Sequence, residues 1–487
     1  MAMNNRKHWF QLACAGFLGV GLSGACVAPA EALPDYRGGG QINVDGLQQG
    51  ANSEIRVIGG RGAVKWHSFS VENGETFRIL GNPNQAILNR VIGGDPSRIG
   101  GTIESGPRFI LSNPNGISVL GTGRIVAPSM VLTTAPIDVE AWVNRSGVYE
   151  GKPDDYLNIT FDRDTAINLD GTILAKQGQQ GGFVGLFARS LTLGPTALID
   201  ASGAAGGGTV LIGGSWQNTQ PWYGQALLVD IKPGAVIDAS ASQNGDGGTI
   251  VAWSDTKNPS AATYANGYFW AAGGVDAGNG GRIETSGYYL SADQSTGGAP
   301  SRSPSGLAGT WLFDPFNIRI VSSGTNTLTL TNANPSVGQA NVDSSVIQAL
   351  TIQTKLGAGT DVMLNTGDNS SGGQQDGNIT LESGADISWS ANAKLTLKAF
   401  GYVEIGALIS STNNAAGAGL VIQAAQVYKK TPGGSMGTAG PPDTRTNRVT
   451  QSNYAGTSTT TTATNSGAVA TWFSGLQPTP APTPAPT

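Results

Sequence analysis

Phe109-Ile110-Leu111-Ser112-Asn113-Pro114-Asn115-Gly116-Ile117-Ser118-Val119 decides the fold. Two short apolar runs flank an Asn-Pro-Asn-Gly tetrapeptide, in which proline fixes φ, asparagine tolerates the left-handed region and glycine supplies positive φ. The stretch predicts strand, tight reversal, strand. The same grammar stands upstream in Ala86-Ile87-Leu88-Asn89-Arg90-Val91 and in Pro96-Ser97-Arg98-Ile99-Gly100-Gly101-Thr102-Ile103. Further out, residues 41–44, 54–58 and 76–80 are short apolar runs, often alternating, each bounded by Gly, Asn or Pro.

Composition agrees with many tight turns between short strands. The chain has 72 Gly among 487 residues, 13% charged and 7% aromatic residues, which suits a helical bundle badly. A repeat then selects the architecture. Ile199-Asp200-Ala201-Ser202, Ile237-Asp238-Ala239-Ser240 and Val275-Asp276-Ala277-Gly278 begin 38 residues apart. Each precedes a Gly-Gly strand opening, at Gly207-Gly208, Gly247-Gly248 and Gly280-Gly281. Such periodicity with β content predicts an all-β chain, a right-handed parallel β-helix (β-solenoid) with small extra-helical hairpins and a disordered C-terminal tail. A sandwich or propeller is the alternative. On this reading a 38-residue unit makes two coils of ~20 residues, and residues 33–428 about twenty rungs.

The amino terminus joins Arg6 and Lys7 to an apolar run, residues 10–27, ending in small residues at Ala28, Ala30 and Ala32. That is the pattern of a secretory signal peptide, residues 1–32, with cleavage expected among those three alanines. It takes both cysteines, Cys14 and Cys26, leaving 26 basic and 32 acidic residues. No basic tract stands out, so nucleic acid is not an expected partner.

In order and spacing, Ala86-Ile87-Leu88, Pro96-Ser97-Arg98-Ile99, Asn113-Pro114-Asn115-Gly116-Ile117 and Leu132-Thr133-Thr134 resemble the secretion domain of filamentous-haemagglutinin-type exoproteins of two-partner secretion. The resemblance implies a haemagglutination-activity or secretion domain over 33–260 and a β-helical passenger extension over 261–430. A low-complexity Thr- and Pro-rich tail follows at 431–487. It also implies export by the general secretion machinery and then by an outer-membrane β-barrel transporter whose periplasmic domains recognise the cargo. Asn113 to Ile117 would form the secretion motif, and Asn82-Pro83-Asn84 a second one. That earlier motif is followed by Gln85, where many members carry leucine.

Chemistry for catalysis is sparse. Beyond the signal one histidine remains, His67, read as a strand residue, and no Ser-His-Asp triad or Cys-His pair can be assembled. Asp200, Asp238 and Asp276 could form a carboxylate row but suit turn corners as well. Asp162-Arg163-Asp164 and Asn244-Gly245-Asp246-Gly247 match only fragments of calcium loops. The expectation is a non-enzyme without cofactor or metal: a secreted, adhesin-like protein, released or held at the cell surface, that attaches to a host-cell or bacterial surface ligand. A toxin-type member of the same pathway, or a truncated passenger, is the alternative.

Overall fold

The computed structural model describes residues 34–36, 40–48, 52–145, 159–220, 222–324, 344–366, 377–413 and 418–424. It adds the short strands 329–330, 338–339, 426–429, 454–455 and 459–463. The signal segment, with Cys14, Cys26, Ala28, Ala30 and Ala32, lies outside the described residues, as does the tail apart from its two strands.

The chain winds as a parallel β-helix with three faces. One coil shows the plan: Arg108–Ser112 runs along the long face, Ile117–Val119 along the second and Arg124–Ala127 along the third. Ser129–Thr133 then returns to the long face one rung further on, with Phe109 beside Met130. The long face is a 14-stranded sheet, of which thirteen strands are parallel and the first, Gln41–Ile42, is antiparallel. The second and third faces begin as 7- and 11-stranded sheets and resume in the C-terminal coils as 5- and 3-stranded ones. Between the two sheets of the third face stands a helix, Ala349–Gly357. Antiparallel hairpins project at Lys176–Gln177 with Gln180–Gly181 and at Thr329–Leu330 with Gly338–Gln339.

Parallel register stacks like on like. Ile103, Ile125, Ile173, Ile199 and Ile237 follow one another along the inside of the third face, all fully buried, each contributing roughly 1.5–3 kcal/mol by leaving water. Near the N-terminal end Trp66, Phe69 and Phe77 meet edge to face, with centroids 5.5–5.8 Å apart. The buried Asn89 among them accepts from Trp66 Nε1 at 3.1 Å and donates to the Ile110 carbonyl at 3.2 Å, so its amide is satisfied.

The repeat is one coil, not two. Ile199-Asp200 lies directly against Ile237-Asp238, 38 residues on. Successive long-face strands are 21 residues apart at Phe109 and Met130 but 54 apart at Met130 and Val184. Coils therefore vary in length because excursions leave at their corners, and among the described residues of 33–428 the long face holds twelve parallel strands where about twenty rungs were expected. The third copy of the aspartate motif is also out of line. Opposite Asp238 stands Trp270, not Asp276, whose neighbour Ala277 bridges to Asn244 in a corner loop. The Gly-Gly openings do align, Thr209 with Thr249 with Arg282. Sterics explain them: a Cβ on Gly248 would stand 1.9 Å from the Gly208 carbonyl oxygen, and one on Gly208 2.1 Å from that of Gly182. The backbones pass too closely at this corner for any side chain.

The outer side of the long face is covered. Its outward residues Leu88, Ile110 and Val131 continue through Leu211 and Val251 and are buried. A helix, Val139–Val143, capped by Asp138 Oδ1 accepting from Ala141 N at 3.0 Å, lays Trp142 on them. The excursion after Ile212 adds Tyr223, 5.0 Å from Phe187.

Candidate functional site

Asn113-Pro114-Asn115-Gly116 turns the chain from the long face to the second face, and Asn113 ties three rungs together there. Its N–H donates to the Thr133 carbonyl in the following rung at 3.0 Å. Its side-chain amide is wholly buried and donates to the Asp95 carbonyl at 3.0 Å and to Ser97 Oγ at 2.9 Å in the preceding rung. Its Oδ1 accepts from the Asn115 N–H at 3.0 Å, an Asx turn. Gly116 then takes φ +113°, where a side chain is strained, and a Cβ would come within 3.2 Å of the Ala166 carbonyl oxygen. Ile117 is buried between Ser97 and Ile167 of the adjoining rungs, with its side chain in the core.

What this corner shows to solvent is therefore limited to Pro114 and Asn115, both half-buried, with their neighbours. Asn115 Nδ2 donates to the Gly93 carbonyl at 2.8 Å, and Arg163, from the excursion before Ala166, donates to Asn115 Oδ1 at 2.8 Å. Burial draws Arg90 below the usual guanidinium range, with Asp162 opposing and Arg163 adding to the shift. Ile92, half exposed, completes the patch.

Asn82-Pro83-Asn84 forms the same local device at a different corner, between the third and long faces. Asn84 N donates to Asn82 Oδ1 at 3.0 Å, and Gln85 Oε1 accepts from Asn82 N at 2.9 Å. Here all three motif residues are exposed, and Gln85 makes the attachment, donating to the Val57 and Gly59 carbonyls at 3.1 and 2.9 Å. The two motifs do not meet in one site. Ser97 and Arg163, the partners of the first, are not legible as such in sequence: Ser97 stands in Pro96-Ser97-Arg98-Ile99, but only the register shows that it faces Asn113.

Asp200 and Asp238 serve turns, accepting from the N–H groups of Ser202 and Ser240, whereas Asp246 Oδ1 accepts from Asn279 N, 33 residues on, at 2.7 Å and Asp164 lies 3.7 Å from Arg189. His67 is exposed, its N–H bonded to the Asp35 carbonyl. The strongly perturbed acids lie elsewhere, on the covered long face. Burial pushes Glu284 up to about 8, although Gln217 N–H and Ser286 Oγ donate to its two oxygens at 2.8 and 2.9 Å. It likewise raises Asp314, which accepts from Asn365, to about 7. Lys355 is buried over the Trp311 ring at 4.1 Å, donates to the Ser295 carbonyl at 3.0 Å and is pushed down to about 7 by desolvation.

No curated protein matches the chain. Among solved structures, the HMW1 secretion domain from Haemophilus influenzae is similar at 16% identity, covering 80% of this chain and 97% of that one with a TM-score of 0.40. Residues 30–256 match the family model of the TPS secretion domain. They contain the Asn-Pro-Asn-Gly corner, the earlier Asn-Pro-Asn turn and the covered stretch of the long face from Leu88 to Val251. Residues 30–256 thus carry a TPS secretion domain, which indicates a two-partner secretion substrate exported across the outer membrane with a partner transporter.

Proposed function

We propose that the chain is an adhesin-like exoprotein, recognised through its secretion domain by periplasmic domains of an outer-membrane β-barrel, and that it works outside the cell by attachment rather than catalysis. The observation that carries this reading is the third face. Along the coils from Asn52 to Trp270 its outward residues form a strip two side chains wide that reaches solvent and is open to a ligand or partner. The most perturbed titratable groups, Glu284, Asp314 and Lys355, are buried and bonded in structural positions. For recognition, Pro114, Asn115, Ile92 and Arg163 are the presented groups of the Asn-Pro-Asn-Gly corner, while Asn113 and Gly116 hold its shape.

The test has two stages. Expression with and without the partner barrel should give extracellular protein only with it, and equal yield in both overturns recognition by that partner. The exported protein, coated on beads, should then hold bacterial or epithelial cells above an uncoated control. Absence of attachment overturns the adhesin reading.

A further inference from the structure

Near the C-terminal end of the open third face, Tyr268 and Trp270 project outward from one strand. Their ring centroids are 5.9 Å apart and their planes lie within 22° of one another. Tyr268 is 37% exposed and Trp270 partly so. In the preceding rung Asp238 stands opposite Trp270, with Asp200 opposite Asp238 one rung further back. Lys176 Nζ lies 3.0 Å from Asp200 Oδ2, whereas Asp238 has no ion pair among the described residues. In the following rung the position opposite Trp270 is Gly298. The column that elsewhere stacks side chain on side chain thus ends beside the indole in a residue with none. A Cβ on Gly298 would stand 2.5 Å from Thr360 Oγ1, so the buried Thr360 takes the place that a side chain there would fill.

We propose that this patch binds carbohydrate. An amphipathic aromatic pair can lie against the apolar face of a pyranose. Asp238 and Asp200 can accept from its hydroxyls, and Lys176 can donate to them. The polar groups carry both signs, which suits a neutral, polyhydroxylated ligand better than a strongly charged one. Its rungs recur at about 4.8 Å, so an extended saccharide chain can continue along the strip from the aromatic end. This assignment rests on the attachment reading for its purpose and supplies that reading with a ligand class.

The experiment uses the exported chain and an array of cellohexaose, chitohexaose, mannohexaose and a heparin hexasaccharide, with hits titrated by tryptophan fluorescence. At least one neutral probe should bind. Trp270→Ala and Tyr268→Ala should each weaken that binding tenfold or more, Asp238→Asn several-fold, and Trp270→Phe little, with all four variants melting as wild type. Absence of binding to the wild-type chain, or binding that Trp270→Ala leaves unchanged, overturns the site. Cell attachment is scored separately. Lost saccharide binding with attachment retained by Trp270→Ala upholds the site and assigns adhesion to another surface.

Discussion

On the long face, the outward residues Leu88, Ile110 and Val131 are as buried as the core beneath them, while on the third face of the same three coils Thr102, Arg124 and Thr172 reach solvent. The backbone is the same parallel ladder in both. The difference lies in the corners. Long excursions leave between the long and second faces, from Thr133 to Ala166 and from Ile212 to Leu228, and fold back over the long face. The third face is entered by tight turns such as Val119 to Arg124 in those coils and Leu193 to Leu198 further on, and in the middle coils it is left through the Gly-Gly corner, where backbones pass too closely for side chains. What a face can bind is set by where its neighbouring corners allow the chain to lengthen.

The sharpest way to break this contrast is to strip the cover. Trp142 lies fully buried on the long face, with the Arg61 guanidinium 4.5 Å over its ring. Trp142→Ala should cost about 3–5 kcal/mol in denaturant unfolding, and Leu174→Ala on the open third face well under half of that. Equal costs would mean that the outer layer is not a second core.

A pH series probes the same cover. Glu284 is protonated in the fold at neutral pH because burial raises it to about 8. An acid so raised gives stability that is complete below its unfolded value near 4.5 and is lost as pH rises through 8. Wild-type stability should therefore fall between pH 5 and 8. In Glu284→Gln the fall should shrink by on the order of 3 kcal/mol, since the amide can accept from Gln217 N–H and donate to Ser286. Parallel profiles would place Glu284 in contact with water.

At the corner between the faces, Asn113→Ala leaves the Asn115 N–H and the Asp95 carbonyl without their partner and should cost about 1–3 kcal/mol. Gly116→Val should cost about as much through strain at φ +113°, and both should lower extracellular yield. Unchanged secretion with unchanged protease resistance would remove the motif from both folding and export. The smallest effect is expected on the open face itself: Trp270→Ala should shift stability by under about 0.5 kcal/mol, read as an unchanged melting temperature. A large loss would show that the aromatic pair belongs to the core.

Local chemistry in this chain was legible and register was not. Pro114 and Gly116 declare their turn because proline and glycine restrict or free the backbone wherever they stand, and the Gly-Gly openings align because the close approach at their corner recurs in each coil. Asn113 reads in sequence as a turn residue. That it also clamps Ser97 depends on the rung beneath, 16 residues away. The 38-residue spacing looked like two coils because a sequence period does not separate coil from excursion. Asp276 shows the same limit: its motif matches, but the excursion after Trp270 carries it off the ladder. Trp142 sits on a five-residue helix too short for a periodic signal, and only its partners give it meaning.

The uneven spacing between rungs also sets a clock. A new strand of the long face can dock only when the whole loop back to the previous one is free, so the length of chain that must clear any confinement before the next click is 21 residues at Met130 but 54 at Val184. Closing the longer loop costs only about 0.8 kcal/mol more in entropy, yet it demands more than twice the slack. Released from its N-terminal end, a chain passing through a narrow opening would gather rungs in short, regular steps up to Met130 and then wait. That coil is the natural place to look for a pause in transit.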